Sequence, residues 1–212
     1  MNDILIQMTH WTTIPTDEKI NKTSESLKAN GISPLIVDSG KDAEKTILSL
    51  IPQGASVMNG SSTTLKEIGF IDTLKKNTHG WNNLHEAMLG EKDPAKQNLL
   101  AKQSTMADYY LGSVHAVTEQ GTALIASNSG SQLPAYAFNA GHVIWVVGAH
   151  KIVSDLDEGI KRVYEYVLPL ESERAHKAYG VPGSFVSKLL IFNKENVPDR
   201  ITMILVKEKL GF

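Results

Sequence analysis

The residues in this chain best suited to chemistry fall within residues 114–148, VHAVTEQGTALIASNSGSQLPAYAFNAGHVIWVVG. Glu119 sits in Thr118-Glu119-Gln120-Gly121-Thr122, between two strand-like runs. A carboxylate on a sheet edge facing a cleft can serve as acid or base, or as a nucleophile towards an activated acyl group. The competing reading is a solvated charge in a four-residue connection. Gly121 hints at a constrained backbone there, and Thr122 adds a hydroxyl. A second cluster, Ser127-Asn128-Ser129-Gly130-Ser131, precedes a predicted helix. Its hydroxyls and amides could bind an anion, and Pro134 suits the first turn of that helix. Ordinary loop chemistry would give the same composition.

Two further stretches carry donors. In SVMNGSSTTLKEIG, residues 56–69, a strand ends at Met58 and Asn59-Gly60 turns. Ser61, Ser62 and Thr63 then lead into a helix, where free N–H groups and hydroxyls suit phosphate or carboxylate. Gly60 would allow close approach of a ligand to the backbone. No GK[ST] is present, so this is not a Walker loop. Either serine could instead do no more than cap the helix. Lys151, in Gly148-Ala149-His150-Lys151, lies between a strand and a helix and could pair with a substrate anion. A lysine so placed is otherwise exposed and idle.

Other classes of chemistry find little support. The seven histidines show no HxH or HExxH spacing, so no metal site is expected. His115 and His142, at strand positions, read as structural. Trp11, Trp81 and Trp145 read as packing residues, and Glu165, Glu171, Glu173 and Arg174 as a solvated helical face. There are no cysteines, which removes disulfides, thiolate catalysis and a self-supplied iron–sulfur cluster. No cofactor is evident. The formal net charge of −2 gives no sign of a nucleic-acid binder. The stretch MNDILIQM does not read as a signal peptide, and the apolar run at residues 143–147 is too short to span a bilayer. A cytoplasmic protein without membrane contact is expected, with a homodimer open to it.

Strands and helices alternate along the chain, which predicts an α/β domain with a mostly parallel sheet flanked by helices. Helices are expected over residues 16–30, 41–51, from Ser62 or Thr63 onward, 94–107 and 133–139, and again after Ser154 as N-cap. Ile20, Ser24 and Leu27 share one face of the first, and Gly31 stops it. Leu99, Leu100 and Ala107 are the buried candidates of the fourth. Leu156, Ile160, Val163 and Val167 form the clearest apolar stripe. Residues 77–93 read as loop plus short helix. Strands are expected at residues 35–37, 55–58, 109–117, 122–126, 143–147, 188–192 and 201–206. The pair within residues 114–126 reads as an antiparallel hairpin, because four residues connect it. One domain over residues 1–212 is expected, with a small helical N-terminal portion at 1–31.

Three stretches together resemble the LUD domain, the lactate-utilisation domain of LutC-type proteins. They are IPQGASVMNGSSTTLKEIGFIDTL (51–74), ADYYLGSVHAVTEQGTALIASNSGSQ (107–132) and HVIWVVGAHKIVSDLDEGIKRV (142–163). The resemblance implies a fold like that of sugar-phosphate isomerases, CoA transferases and 5-formyltetrahydrofolate cyclo-ligase. It also implies a link to oxidation of L-lactate alongside iron–sulfur partner proteins. Glu119-x-Gly121 resembles the segment that supplies the nucleophilic glutamate in some CoA transferases, an analogy at the level of fold. Many members carry a cysteine-rich C-terminal segment, and residues 187–212 here have none. Any redox centre would therefore come from a partner.

The reading that results is a protein that binds a small carboxylate, phosphate or acyl metabolite. Residues 60–63 and 129–131 would hold the anion, Lys151 would assist, and Glu119 would be the acid, base or nucleophile. The alternatives are a non-enzymatic accessory subunit of an iron–sulfur redox complex, or an isomerase-like, CoA-transferase-like or cyclo-ligase-like enzyme.

Overall fold

The structure, a computed structural model, describes residues 10–212. The MNDILIQM stretch lies outside them. The first described helix, α1 (Asp17–Ala29), is capped by the Thr16 hydroxyl and ends before Gly31, whose φ of +75° suits glycine. It buries Ile20, Thr23, Ser24 and Leu27. Strand β1 (Ser33–Val37) follows, then α2 (Gly40–Leu50), which Ser39 caps and which buries Ala43 and Ile47. Next come β2 (Ser56–Asn59), α3 (Thr63–Glu67), α4 (Phe70–Lys76) and the two-residue β3 (Asn82–Asn83). Helices α5 (Leu84–Gly90) and α6 (Pro94–Gln103) lead to β4 (Tyr109–Gly112).

The chain then makes β5 (Ala116–Thr118), β6 (Ala123–Ser127), a π-helical turn (Ala135–Asn139) and β7 (His142–Gly148). A 3-10 turn and the short β8 (Ile152–Val153) precede α7 (Leu156–Lys161). A second π-helical stretch (Arg162–Val167) continues into α8 (Leu168–Tyr179). Strands β9 (Lys188–Phe192) and β10 (Ile201–Val206) complete the fold.

The strands form two sheets. One has six strands, all parallel, in the order β1-β10-β7-β4-β2-β3. Its central strands β7 and β10 are near-continuous apolar runs because helices or sheet cover both faces. The other has four strands in the order β8-β5-β6-β9, with β5 and β6 forming the expected antiparallel pair. The two sheets share one core. Trp145 of β7 meets Tyr136 and Phe192 of β9 edge-on, at centroid distances of 5.5 and 5.4 Å.

Three expectations need correction. The run at residues 109–117 is two strands in different sheets, because the chain leaves the first sheet after Gly112. A Cβ on Gly112 would overlap the Tyr136 hydroxyl. Leu99 is 54% exposed and Leu100 is half-buried, since α6 buries none of its residues; Ala107 is buried as expected. Asp155, and not Ser154, caps α7, accepting from the Glu158 N–H, while the Ser154 hydroxyl donates to the Asp155 carboxylate.

The π-helical turn that carries Tyr136 ends on a buried ion pair. Arg200 Nε meets Glu195 Oε2 at 2.6 Å, and Arg200 also donates to the carbonyls of Ala135, Tyr136 and Ala140. Removing one side of such a pair leaves a buried charge and takes a donor from three carbonyls. Arg200→Ala is therefore expected to lower the unfolding free energy by about 3–5 kcal/mol in urea titrations.

Candidate functional site

Parallel strands leave their carboxyl ends open to ligands where the chain diverges, and here that edge holds a cavity of about 410 Å³. Gly60 to Thr64 enter it after β2, Ser113 to His115 after β4, and Lys151 after β7. The other wall comes from residues 126–129 and from Ser131, Gln132 and Tyr136. Helix α8 and the following loop close the mouth with Glu171, Arg174, Tyr179 and Phe185.

At the floor lies Lys151, 1% exposed. Its Nζ is 3.1 Å from Thr64 Oγ1, 3.1 Å from Ser113 Oγ and 3.2 Å from the Val114 carbonyl oxygen. No carboxylate among the described residues comes within ion-pairing distance. Burial, and then the charge of Arg162, drive the Lys151 amine well below its usual range; Glu67 pulls weakly the other way.

Arg162 is fully buried behind this group. It donates to the His115 carbonyl, and its guanidinium lies 5.0 Å from the Tyr166 ring centroid. Its Nε and Nη2 have no partner among the described residues. Burial lowers it to about 10, so it stays cationic at neutral pH. His115 accepts from the Ala126 N–H through Nδ1, and burial holds its ring neutral. His150, buried beside Lys151 and Arg162, is pushed down to about 2, chiefly by burial. Four basic groups are thus packed together.

Most of the expected anion-binding residues meet in this cavity: Gly60, Ser61, Ser62, Thr63, Asn128, Ser129, Ser131 and Lys151 line it. Ser62 also caps α3, accepting from the Leu65 N–H. Asn59 and Gly130 stand behind the lining. The Asn59 amide donates to the Gly60 carbonyl, and Gly130, at φ +83°, packs against Lys188.

Glu119, Gly121 and Thr122 are elsewhere. Glu119 is held by Lys19 at 2.8 Å and Lys22 at 3.3 Å, both on α1, and the Lys19 bond leads in keeping its carboxyl below the ordinary value. A Cβ on Gly121 would lie 2.8–2.9 Å from Ser26, Leu27 and Asn30 of α1 and its cap, and the Asn30 amide donates to the Gln120 carbonyl. The Thr122 hydroxyl donates to Asn193. This turn is docked on α1, away from the cavity.

Other lining residues lie where the sequence reads as structural or solvated, or carries no signal. Ser113 and His115 were hidden inside one apparent strand, although Gly112-Ser113 is the sort of pair that breaks one. Arg174 and Glu171 pair bidentately at 2.7 Å at the mouth, whereas Glu165 and Glu173 of the same helical stretch are exposed. No group of three or more His, Asp or Glu that could hold a metal occurs among the described residues.

The family profile described as the LUD domain matches residues 20–207. The chain belongs to the LUD domain family. A crystal structure of a DUF162 family protein from Deinococcus radiodurans matches with a TM-score of 0.51. The match covers 91% of this chain and 99% of that one at 14% identity, so the likeness is one of fold. A comparison with curated proteins gives no match. In this LUD domain no helix among the described residues is long and apolar enough to cross a membrane.

A base whose folded pKa is depressed binds its proton only in the unfolded chain, so stability falls as pH drops below the unfolded value. Between pH 6.5 and 5, His115 and His150 should each cost up to about 1.4 kcal/mol per pH unit, and His85, also lowered by burial, adds to the slope. His150→Leu should flatten urea-derived stability over that window; an unchanged slope would contradict a neutral buried ring. Glu119→Gln, by contrast, removes only partly exposed ion pairs and should cost no more than about 1 kcal/mol.

Proposed function

We propose that this LUD domain binds a small acid, or its acyl derivative, in the cavity beyond β2, β4 and β7. The observation that carries the reading is the lining. It combines hydroxyls and side-chain amides with Lys151 at the floor, and its one carboxylate, Glu171, is already matched by Arg174. Donors in excess, together with a buried amine that a bound anion would protonate, in a space of about 410 Å³, suit a metabolite with a carboxylate or phosphate head. Ser61, Thr63, Asn128, Ser129, Ser131 and Gln132 are the groups to meet that head. Lactate is one acid of suitable size, and the family's name makes it the first to try. On this reading Glu119 fastens the hairpin to α1 and takes no part in the chemistry.

An anion beside Lys151 favours the charged form of the amine. Binding should therefore draw in a proton wherever the free amine is unprotonated. Calorimetry with lactate, acetate and inorganic phosphate, in two buffers of different ionisation enthalpy, measures that uptake. Lys151→Met should abolish the uptake and weaken binding at least about tenfold. It removes a desolvated amine but also the donor to the Val114 carbonyl, so the net cost to the fold should stay within about 1–3 kcal/mol. Glu119→Gln should bind as the parent does. Failure of all three acids to bind, or equal binding by Lys151→Met, would remove the reading.

A further inference from the structure

We infer that Ser113 and Lys151 form a nucleophile–base pair, with Thr64 orienting the base, and that the cavity performs acyl transfer on small esters or thioesters. The inference rests on the same cavity as the proposed binding function and adds a reaction to it.

Ser113 is the first residue after β4, half-buried on the cavity wall, with its Oγ 3.1 Å from Lys151 Nζ. Thr64 Oγ1 lies 3.1 Å from the same nitrogen and 3.3 Å from Ser113 Oγ. A nucleophile within reach of a base, and a third group fixing that base, is the arrangement that activates a hydroxyl.

The shell around Lys151 Nζ can hold a neutral amine. A neutral amine has two donors and one lone pair. The Val114 carbonyl can only accept, at 3.2 Å. The Thr64 hydroxyl has its own acceptor in the Leu210 carbonyl, at 3.4 Å, which leaves its oxygen free to accept from Lys151. Both amine donors are then used, and the lone pair can take the Ser113 hydroxyl proton, which also has the Val114 carbonyl within reach at 3.3 Å. Each group then has a partner, and Ser113 lines the cavity beside the base. Arg162, buried and without a carboxylate, opposes protonation of the amine from behind. Tyr136, also in the lining, is pushed by burial to keep its own proton, so it can donate to an oxyanion formed at Ser113.

The reaction balances with water as co-reactant. Ser113 Oγ attacks the carbonyl carbon of R–CO–X while its proton passes to Lys151 Nζ. The tetrahedral oxyanion collapses, the C–X bond breaks, and X leaves with the proton from Lys151. The Ser113 ester is then attacked by water, whose proton goes to Lys151. The ester C–O bond breaks, Ser113 recovers its proton, and R–COOH and HX are released.

The test has two independent arms. In the first, the protein is treated with p-nitrophenyl acetate and, separately, with a fluorophosphonate, and labelled peptides are mapped by mass spectrometry. Acetylation and phosphonylation at Ser113 are expected. Ester turnover should fall roughly a hundredfold or more in Ser113→Ala and Lys151→Met. It should fall less in Thr64→Val, with its alkaline pH profile displaced. Label on other residues only, or turnover that survives Ser113→Ala, overturns the inference.

The second arm needs no substrate. The chain has no cysteine, so Ser113→Cys introduces a single thiol. Its alkylation by iodoacetamide should proceed at lower pH than that of a free thiol and lose this advantage when Lys151→Met is added; an ordinary thiol profile overturns the inference. If the acids bind but Ser113 is never labelled, the acyl-transfer step fails and the binding function stands. If Ser113 is labelled but no acid binds, the acid-binding function fails and the nucleophile stands.

Discussion

A primary amine buried without a carboxylate partner is the constraint around which this LUD domain is organised. Taking a lysine out of water is costly unless oxygen atoms replace its hydration. Here the replacements come from separate parts of the chain. Thr64 arrives on α3 after β2, and Ser113 and Val114 come from the crossing between the two sheets. Lys151 itself follows β7. One nitrogen therefore fixes where three neighbouring stretches of the parallel-sheet edge diverge, and the cavity is the space they leave. Arg162 reinforces the same point by holding the His115 carbonyl at the end of that crossing.

The two sheets explain why the edge is open. A strand that ran on from Tyr109 to Val117 would fill the cleft with backbone. Instead Gly112 admits the Tyr136 hydroxyl, the chain turns through Ser113 and His115, and β5 begins in the second sheet. The Arg200–Glu195 pair holds the turn that brings Tyr136 there. On the far side, the hairpin of β5 and β6 is held against α1 by Lys19, Lys22 and Asn30. That contact accounts for the polar Glu119 turn, whose composition resembles a site.

Much of the fold was legible because the core strands are apolar on both faces. HVIWVVG and ITMILV can hardly be anything but central strands, and the helix caps at Thr16 and Ser39 mark their helices. The short connection at Gly121 gave the antiparallel pair. What the pattern hid was long-range. Periodicity cannot tell that residues 109–117 change sheets, nor that an otherwise ordinary helical face at Glu171 and Arg174 closes over a cavity. Lys151 was visible as a cation after a strand, but its burial depends on contacts 38 and 87 residues away. Glu119 shows the same limit: its partners are on α1, about a hundred positions earlier, and local sequence cannot show which charge is already paired.

The state of the Lys151 amine is the most direct point of decision. Selective isotope labelling of lysine, with assignment by Lys151→Met, allows its titration to be followed by NMR in the intact protein. A midpoint well below the ordinary lysine value is expected, moving upward when lactate or acetate is added. A Lys151 signal that titrates with the exposed lysines and ignores both acids would contradict a buried, uncompensated amine at the floor of a binding cavity.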